Sequence, residues 1–307
     1  MRKEVEALPV SLEEARRKSS FFRELENSAP ELLERCLGIN FGQTFPRVVE
    51  YDGKNIFRVV LAKDKQGCLG CAGKIGTLLS FVMKLAGKNG EYNPDLDIIF
   101  YYRNKTPSRP LSTELHENIH GWQKRINSEV LNGNRKILVA IQNRTLNKTD
   151  VSAATTEISY GLADVIIAEG VAWWGSMHVA ENFLGDQAKS EARERKNIFF
   201  SGEKGRIGEN ICKPTREMLN IVLGNVNGLY DGLNRCVSKV GIKSVTSAAG
   251  LTIKGFLGRV VGYYFVDGTI RKEHAKSPSE IGKVLEDITR KQWSVGEILN
   301  ELNKLKE

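Results

Sequence analysis

Histidine is scarce in this chain: four among 307 residues. Cysteine is little used as well; five residues, an odd number at irregular spacing, exclude a disulfide framework. The opening Met1-Arg2-Lys3-Glu4-Val5-Glu6 has no apolar core of a secretory signal, and no apolar run approaches the length of a membrane span. A soluble, cytoplasmic protein is therefore expected, with no membrane partner. No run of Lys and Arg interleaved with aromatics is present, so the net charge of +8 reads as a solvated basic surface rather than a nucleic-acid footprint. Internal repeats and low-complexity tracts are absent too. What remains is an ordinary globular composition, 41% hydrophobic and 27% charged, long enough to bury a sizeable core.

Against that scarcity, two of the four histidines stand four residues apart in Leu115-His116-Glu117-Asn118-Ile119-His120-Gly121-Trp122. On a helix, residues four apart lie on one face. His116 and His120 would then present two imidazoles to one small cation such as zinc, with Glu117 beside them as a candidate base. Leu115, Ile119, Trp122, Ile126 and Val130 recur at helical spacing, which predicts a half-buried helix rather than a solvated one. Ser112 or Thr113 can cap it, after Pro107 and Pro110 break the chain.

The surrounding chain divides into a front half, 1–130, and a helical back half, 131–307, forming one catalytic unit. Ser11-Leu12-Glu13-Glu14 is a capping box for a helix to about Asn27, and Pro30 starts a short helix ending near Gly38. Arg47 to Tyr51 and Asn55 to Ala62, joined by Asp52-Gly53, read as a β-hairpin. Cys68 and Cys71 form a C-x-x-C pair before a helix from Ile75 to Leu85; turn residues and a functional dithiol are both open readings. Asp95 to Tyr102 is the best strand. Lys136 to Gln142 fits strand or helix, and Asn143 to Asp150 reads as loop.

Thr156 to Phe183 is a long apolar helical pattern enclosing Glu169-Gly170-Val171-Ala172. A glutamate in an apolar helix is costly unless paired or bound to metal. The adjacent Gly170 costs about 1 kcal/mol of helix stability against alanine, which points to close approach of another helix. Glu169 is thus the candidate third metal ligand, the alternative being a carboxylate salt-bridged in a helix interface; Asp164 and Glu181 share the helix without its Gly-x-Ala context. Charged Asp186 to Lys196 reads as a helix and Phe199 to Asn210 as a loop. Helices follow at about Thr215 to Val226, Gly232 to Val240 and Leu251 to Thr269. Ser277-Pro278-Ser279-Glu280 and Ser294-Val295-Gly296-Glu297 cap the last two.

The set His116, Glu117, His120 and, 49 positions on, Glu169-Gly170-Val171-Ala172 resembles the gluzincin branch of the zincin metallopeptidases. Gly258-Arg259-Val260-Val261-Gly262-Tyr263-Tyr264-Phe265-Val266 is similar to a Gly-Tyr helix of that branch. The resemblance covers about 95 to 270, and the interval to Glu169 is longer than in thermolysin-like members. It implies an α+β, zincin-like fold: a small mixed sheet whose edge strand, around Ile98 to Tyr102, precedes the H-E-x-x-H helix and pairs with an extended peptide, followed by a mainly helical half. It also implies one zinc per chain and peptide-bond hydrolysis by a metal-activated water with Glu117 as general base. A donor to the developing oxyanion is then required. Tyr263 is the first candidate and His178 the second, though both also fit plain interface packing. Two other readings differ in class: a peptide-binding protein with a structural zinc site, and a basic nucleic-acid-binding protein.

Overall fold

The computed structural model describes residues 29–42, 46–51, 90–94, 97–102, 111–147, 151–183, 190 and 254–304. The expected helices at 11–27, 75–85, 215–226 and 232–240 lie outside them, as do all of 186–196 except the helical Ser190, the second hairpin arm, the C-x-x-C pair and the loop from Phe199 to Asn210.

The described chain is mainly helical, which corrects the expected α+β, zincin-like class. A helix over 29–37 (α1) ends at Gly38, whose φ of +65° is the left-handed conformation that glycine adopts at a helix C-terminus. Strands β1 (Arg47–Tyr51), β2 (Gly90–Asn93) and β3 (Ile98–Tyr102) are only four or five residues long. Then come α2 (Leu111–Ile126), a 3-10 turn (Ser128–Asn132), α3 (Gly133–Asn147) and α4 (Val151–Asn182). A π-helix (Lys254–Val261) leads into α5 (Gly262–Lys272), α6 (Pro278–Arg290) and α7 (Val295–Lys304).

The three strands pair in the order β1-β3-β2, with β1 parallel and β2 antiparallel to β3. This overturns the edge role given to Ile98 to Tyr102. Both sides of β3 carry a neighbouring strand, so its backbone has no open edge for a peptide. The apolar run Ile98-Ile99-Phe100 suits a central position; Ile99 is fully buried.

The centre of the fold is α4, 32 residues and about 48 Å long at 1.5 Å per residue. From Gly161 to Met177 it is buried on all sides, as a helix segment surrounded by others is. Ile158, Leu162, Ile166, Val171, Trp174 and Met177 are buried in one core with Leu33 and Leu37 of α1, Leu115, Ile119 and Trp122 of α2, Phe265 of α5 and Leu285 of α6. Glycines set the close crossings on α4. A Cβ on Gly161 would meet Ile137 at 2.7 Å and the Gly133 carbonyl oxygen at 2.9 Å, and one on Gly170 would meet the backbone of Gly262 at 2.5 Å. The close helix approach expected at Gly170 is therefore the α4–α5 crossing. Lys136 to Gln142 is helical, and so is the start of the stretch read as loop, because α3 runs on to Asn147. Ser277 and Glu280 form the expected capping box at α6. No described helix is long and apolar enough to cross a membrane.

Gly170→Ala should lower the melting temperature. The atoms that a methyl group meets there are backbone, so one helix must shift. Overpacking against backbone falls in the upper part of the usual range of roughly 1–3 kcal/mol, leaving a net loss of about 1–2 kcal/mol after the propensity that alanine restores. A drop of roughly 2–8 °C in thermal denaturation is the expected result; an unchanged midpoint would contradict this crossing.

Candidate metal centre

Helix α2 buries the face carrying Leu115, Ile119 and Trp122, which fixes its rotation. The adjoining face then turns His116 and His120 toward α4, where Glu169 meets them. All three are buried, at 8%, 7% and 5% exposure. The two Nε2 atoms are 3.1 Å apart, His116 Nε2 is 3.5 Å from Glu169 Oε2, and His120 Nε2 is 3.9 Å from Glu169 Oε1. One ligand atom from each residue falls within 4.8 Å of the others, so the group can hold a metal ion. With metal–nitrogen bonds of about 2.0–2.1 Å, a tetrahedral site separates its ligand atoms by roughly 3.3 Å. The observed separations bracket that value.

The chemistry of the donors fits as well. Gln123, fully buried, donates its amide Nε2 to the Ala168 carbonyl oxygen at 3.2 Å. Its Oε1 therefore faces His120 Nδ1, 2.8 Å away. An amide oxygen only accepts, so Nδ1 carries the proton and Nε2 keeps its lone pair. Two imidazole nitrogens and a carboxylate then converge in a buried space, an arrangement a cation relieves. His116 Nδ1 is buried without a hydrogen-bond partner among the described residues, so that ring is held by packing. Trp173 contributes, its ring lying edge-on 6.1 Å from the imidazole.

Gln123→Leu keeps the volume but leaves His120 Nδ1–H and the Ala168 carbonyl unsatisfied. Losing such an orienting partner weakens metal binding about 10–100-fold. Competition with a metal-sensitive dye should read that loss; unchanged affinity would mean that Gln123 does not set the imidazole.

Glu117 faces the strands. Its Oε2 accepts the Tyr92 backbone N–H of β2 at 2.7 Å. That strand is tied to α2 a second way: the Tyr92 hydroxyl donates to Asp97 Oδ1 at 2.7 Å, and Arg125 of α2 lies 3.4 Å from Asp97 Oδ2. Burial, then the hydrogen bond and charge of Asp97, push the Tyr92 phenol upward, so it stays a donor. Tyr92, Pro94, Leu131 and Val165 line a small cavity of about 60 Å³ with His120 and Glu169 on its wall. This cleft flanks the cluster toward the N-terminal end of α4, one turn before Glu169.

On the other flank, Trp173 follows Glu169 by one turn on the same face of α4. The π-helix packs here. A Cβ on Gly258 would meet Glu169 Cβ at 2.6 Å and Cγ at 2.8 Å, so only glycine allows this approach. The Arg259 guanidinium carbon lies 5.2 Å from the centre of the Trp173 ring.

The structure brings together His116, His120 and Glu169, with Glu117 next to them on α2. It does not bring Tyr263 or His178 there. His178 is nine residues beyond Glu169, about 13 Å along the helix and on its opposite side. It stacks on Trp174 with ring centres 4.7 Å apart and bonds Asn182. Tyr263 is buried on α5; desolvation first, then the carboxylates of Asp267 and Glu181, push its phenol upward. Asp164 is engaged by Lys136 at 2.7 Å, away from the cluster. Gln123, Tyr92, Trp173 and Arg259 escaped the sequence reading. Only Gln123 had a local signal, standing three residues after His120.

No family model matches the chain, and neither a curated protein nor a solved structure is detectably similar to it. The class defined by its own residues is a helical protein with a buried His-His-Glu group able to hold a metal ion.

Proposed function

We propose that the protein is a zinc-dependent peptidase, with His116, His120 and Glu169 holding one zinc ion and Glu117 acting as general base. The observation that carries this reading is the pairing of a three-ligand cluster with an adjacent buried carboxylate. Glu117 also ties β2 to α2 through the Tyr92 N–H, a task that one carboxylate oxygen meets, while proton transfer falls to the other. Two imidazoles and one carboxylate suit zinc, and three protein ligands leave a fourth position open. Bound there, zinc supplies Lewis-acid polarisation and acidifies water.

The chain's own residues do the rest. The Tyr92 N–H fixes the carboxylate of Glu117, the residue next to the ligand His116 in sequence. Glu117 takes a proton from the attacking water as its oxygen bonds to the carbonyl carbon. It returns that proton to the amide nitrogen as the carbon–nitrogen bond breaks, giving a carboxylic acid and an amine. Burial of the cluster keeps bulk water from competing for the same proton.

Digestion of a peptide library by the zinc-loaded protein, with and without chelator, tests the reading. Cleavage that stops on zinc removal and returns on its addition is expected. A library left intact at full zinc occupancy would refute the peptidase and leave a metal-binding protein.

A further inference from the structure

The cluster is flanked by a basic group that none of the roles above uses. Arg259 sits half-buried on the π-helix with its guanidinium carbon 5.2 Å from the Trp173 ring centre. Among the described residues its Nε is buried without a hydrogen-bond partner, and its guanidinium has no ion pair with a carboxylate. A buried guanidinium N–H with no acceptor is unfavourable, and here that N–H is the one on Nε. Stacking on an indole orients the fork and offsets part of that cost, but it satisfies no N–H. The side chain is thus arranged for an acceptor that this part of the chain does not supply.

Its location identifies the acceptor. Gly258, the preceding residue, is seated against Glu169, which fixes the Arg259 backbone relative to the cluster. The Trp173 ring that carries the guanidinium lies 6.1 Å from the His116 ring, so the Arg259 guanidinium carbon is no more than about 11 Å from that imidazole. A carboxylate paired fork-to-fork puts its carbon about 4 Å from the guanidinium carbon. With that carbon on the cluster's side of the guanidinium, at most about 7 Å remains, no more than about two residues of extended chain at roughly 3.3–3.6 Å each. π-Helical turns are rare, and those that occur are frequently at functional sites.

We propose that Arg259 binds the C-terminal carboxylate of a peptide whose scissile bond lies one or two residues away, so that the protein trims peptide C-termini. This deepens the peptidase reading and rests on it for the cleavage, but not for the carboxylate binding. With the carboxylate on Arg259, the peptide crosses the His116–Glu169 cluster and runs on toward the cavity beside Tyr92 and Val165.

The test compares acetylated dipeptides as free acids and as amides. Binding is measured by calorimetry on the zinc-loaded full chain carrying Glu117→Gln, which prevents turnover. Free acids should bind more tightly, and adding Arg259→Met should reduce the acid-to-amide ratio about 10–100-fold, the range for a charged hydrogen-bonded pair. The comparison is made at equal zinc occupancy, so the metal's own affinity for carboxylates cancels. Arg259→Gln, planar and uncharged, repeats the measurement if the methionine variant does not fold. An unchanged ratio overturns the anchor, as does equal weakening of acid and amide, which would put Arg259 on the scissile carbonyl instead. Acid-selective binding lost with Arg259, in a protein that cleaves nothing, upholds the anchor and refutes the peptidase. Cleavage with an unaffected ratio refutes the anchor alone.

Discussion

Replacing His116 or His120 by alanine is expected to strip stoichiometric zinc from the purified protein. Zinc sites with four protein ligands bind with about 10–16 kcal/mol, so one ligand carries roughly 3–4 kcal/mol. Removing one of three should weaken affinity about 10²–10³-fold. The two alanines should act alike, because their Nε2 atoms are only 3.1 Å apart and share one position. Glu169→Gln should cost less, since the amide oxygen can still coordinate without its charge. Metal analysis after dialysis, with dye competition for affinity, gives the answer. One zinc retained at wild-type affinity in both histidine variants would remove this centre from the protein.

Glu117→Gln should separate metal binding from chemistry. The amide is nearly isosteric and its oxygen can still accept the Tyr92 N–H that the carboxylate now accepts at 2.7 Å. Zinc content and melting temperature should stay close to those of the parent. The turnover number should fall about 10²–10⁴-fold, the usual loss when a general base is removed. Initial rates on a quenched fluorescent peptide, at zinc occupancy matched to the parent, measure it. Rates within a few-fold of the parent would end the role of Glu117 as base. Loss of the zinc itself would instead move Glu117 among the ligands.

Both expectations start from residues whose importance was legible in the sequence, for a definite reason. An i, i+4 pair and its neighbour are positioned by helix geometry alone, and the stripe Leu115, Ile119, Trp122 fixed which way that helix faces. Glu169 was legible through its cost, since a carboxylate amid Val165, Ile166, Val171 and Trp174 needs a partner. Gly170 carried a similar message, and the Gly262 backbone against it is what the message referred to.

The misplaced readings failed for physical reasons too. Helix α3 contains Ile137, Leu138, Val139 and Ile141, whose branched side chains suit strands; packing on α4 through Gly161 makes the stretch helical. Ile98 to Tyr102 has the composition of any buried strand, and nothing local distinguishes a central strand from an edge. Tyr263 and His178 were chosen by residue type. The pitch of α4 and α5 sets their surroundings: the His178 ring stacks on Trp174, and the Tyr263 ring lies edge-on to Tyr264.

The sequence by itself determined the contents of one helical face and the presence of one costly carboxylate. Both follow from local periodicity and from the penalty of burying charge. Only the tertiary structure decided that these meet. The 48 residues between His120 and Glu169 carry no record of their distance in space. That distance is set by glycine crossings between α4, α3 and α5 and by the Gln123 bridge from His120 to the Ala168 carbonyl. The mainly helical architecture, the central position of β3 and the placement of Arg259 over Trp173 have the same origin. Each depends on which surfaces find one another, and that is a property of packing rather than of any stretch of chain.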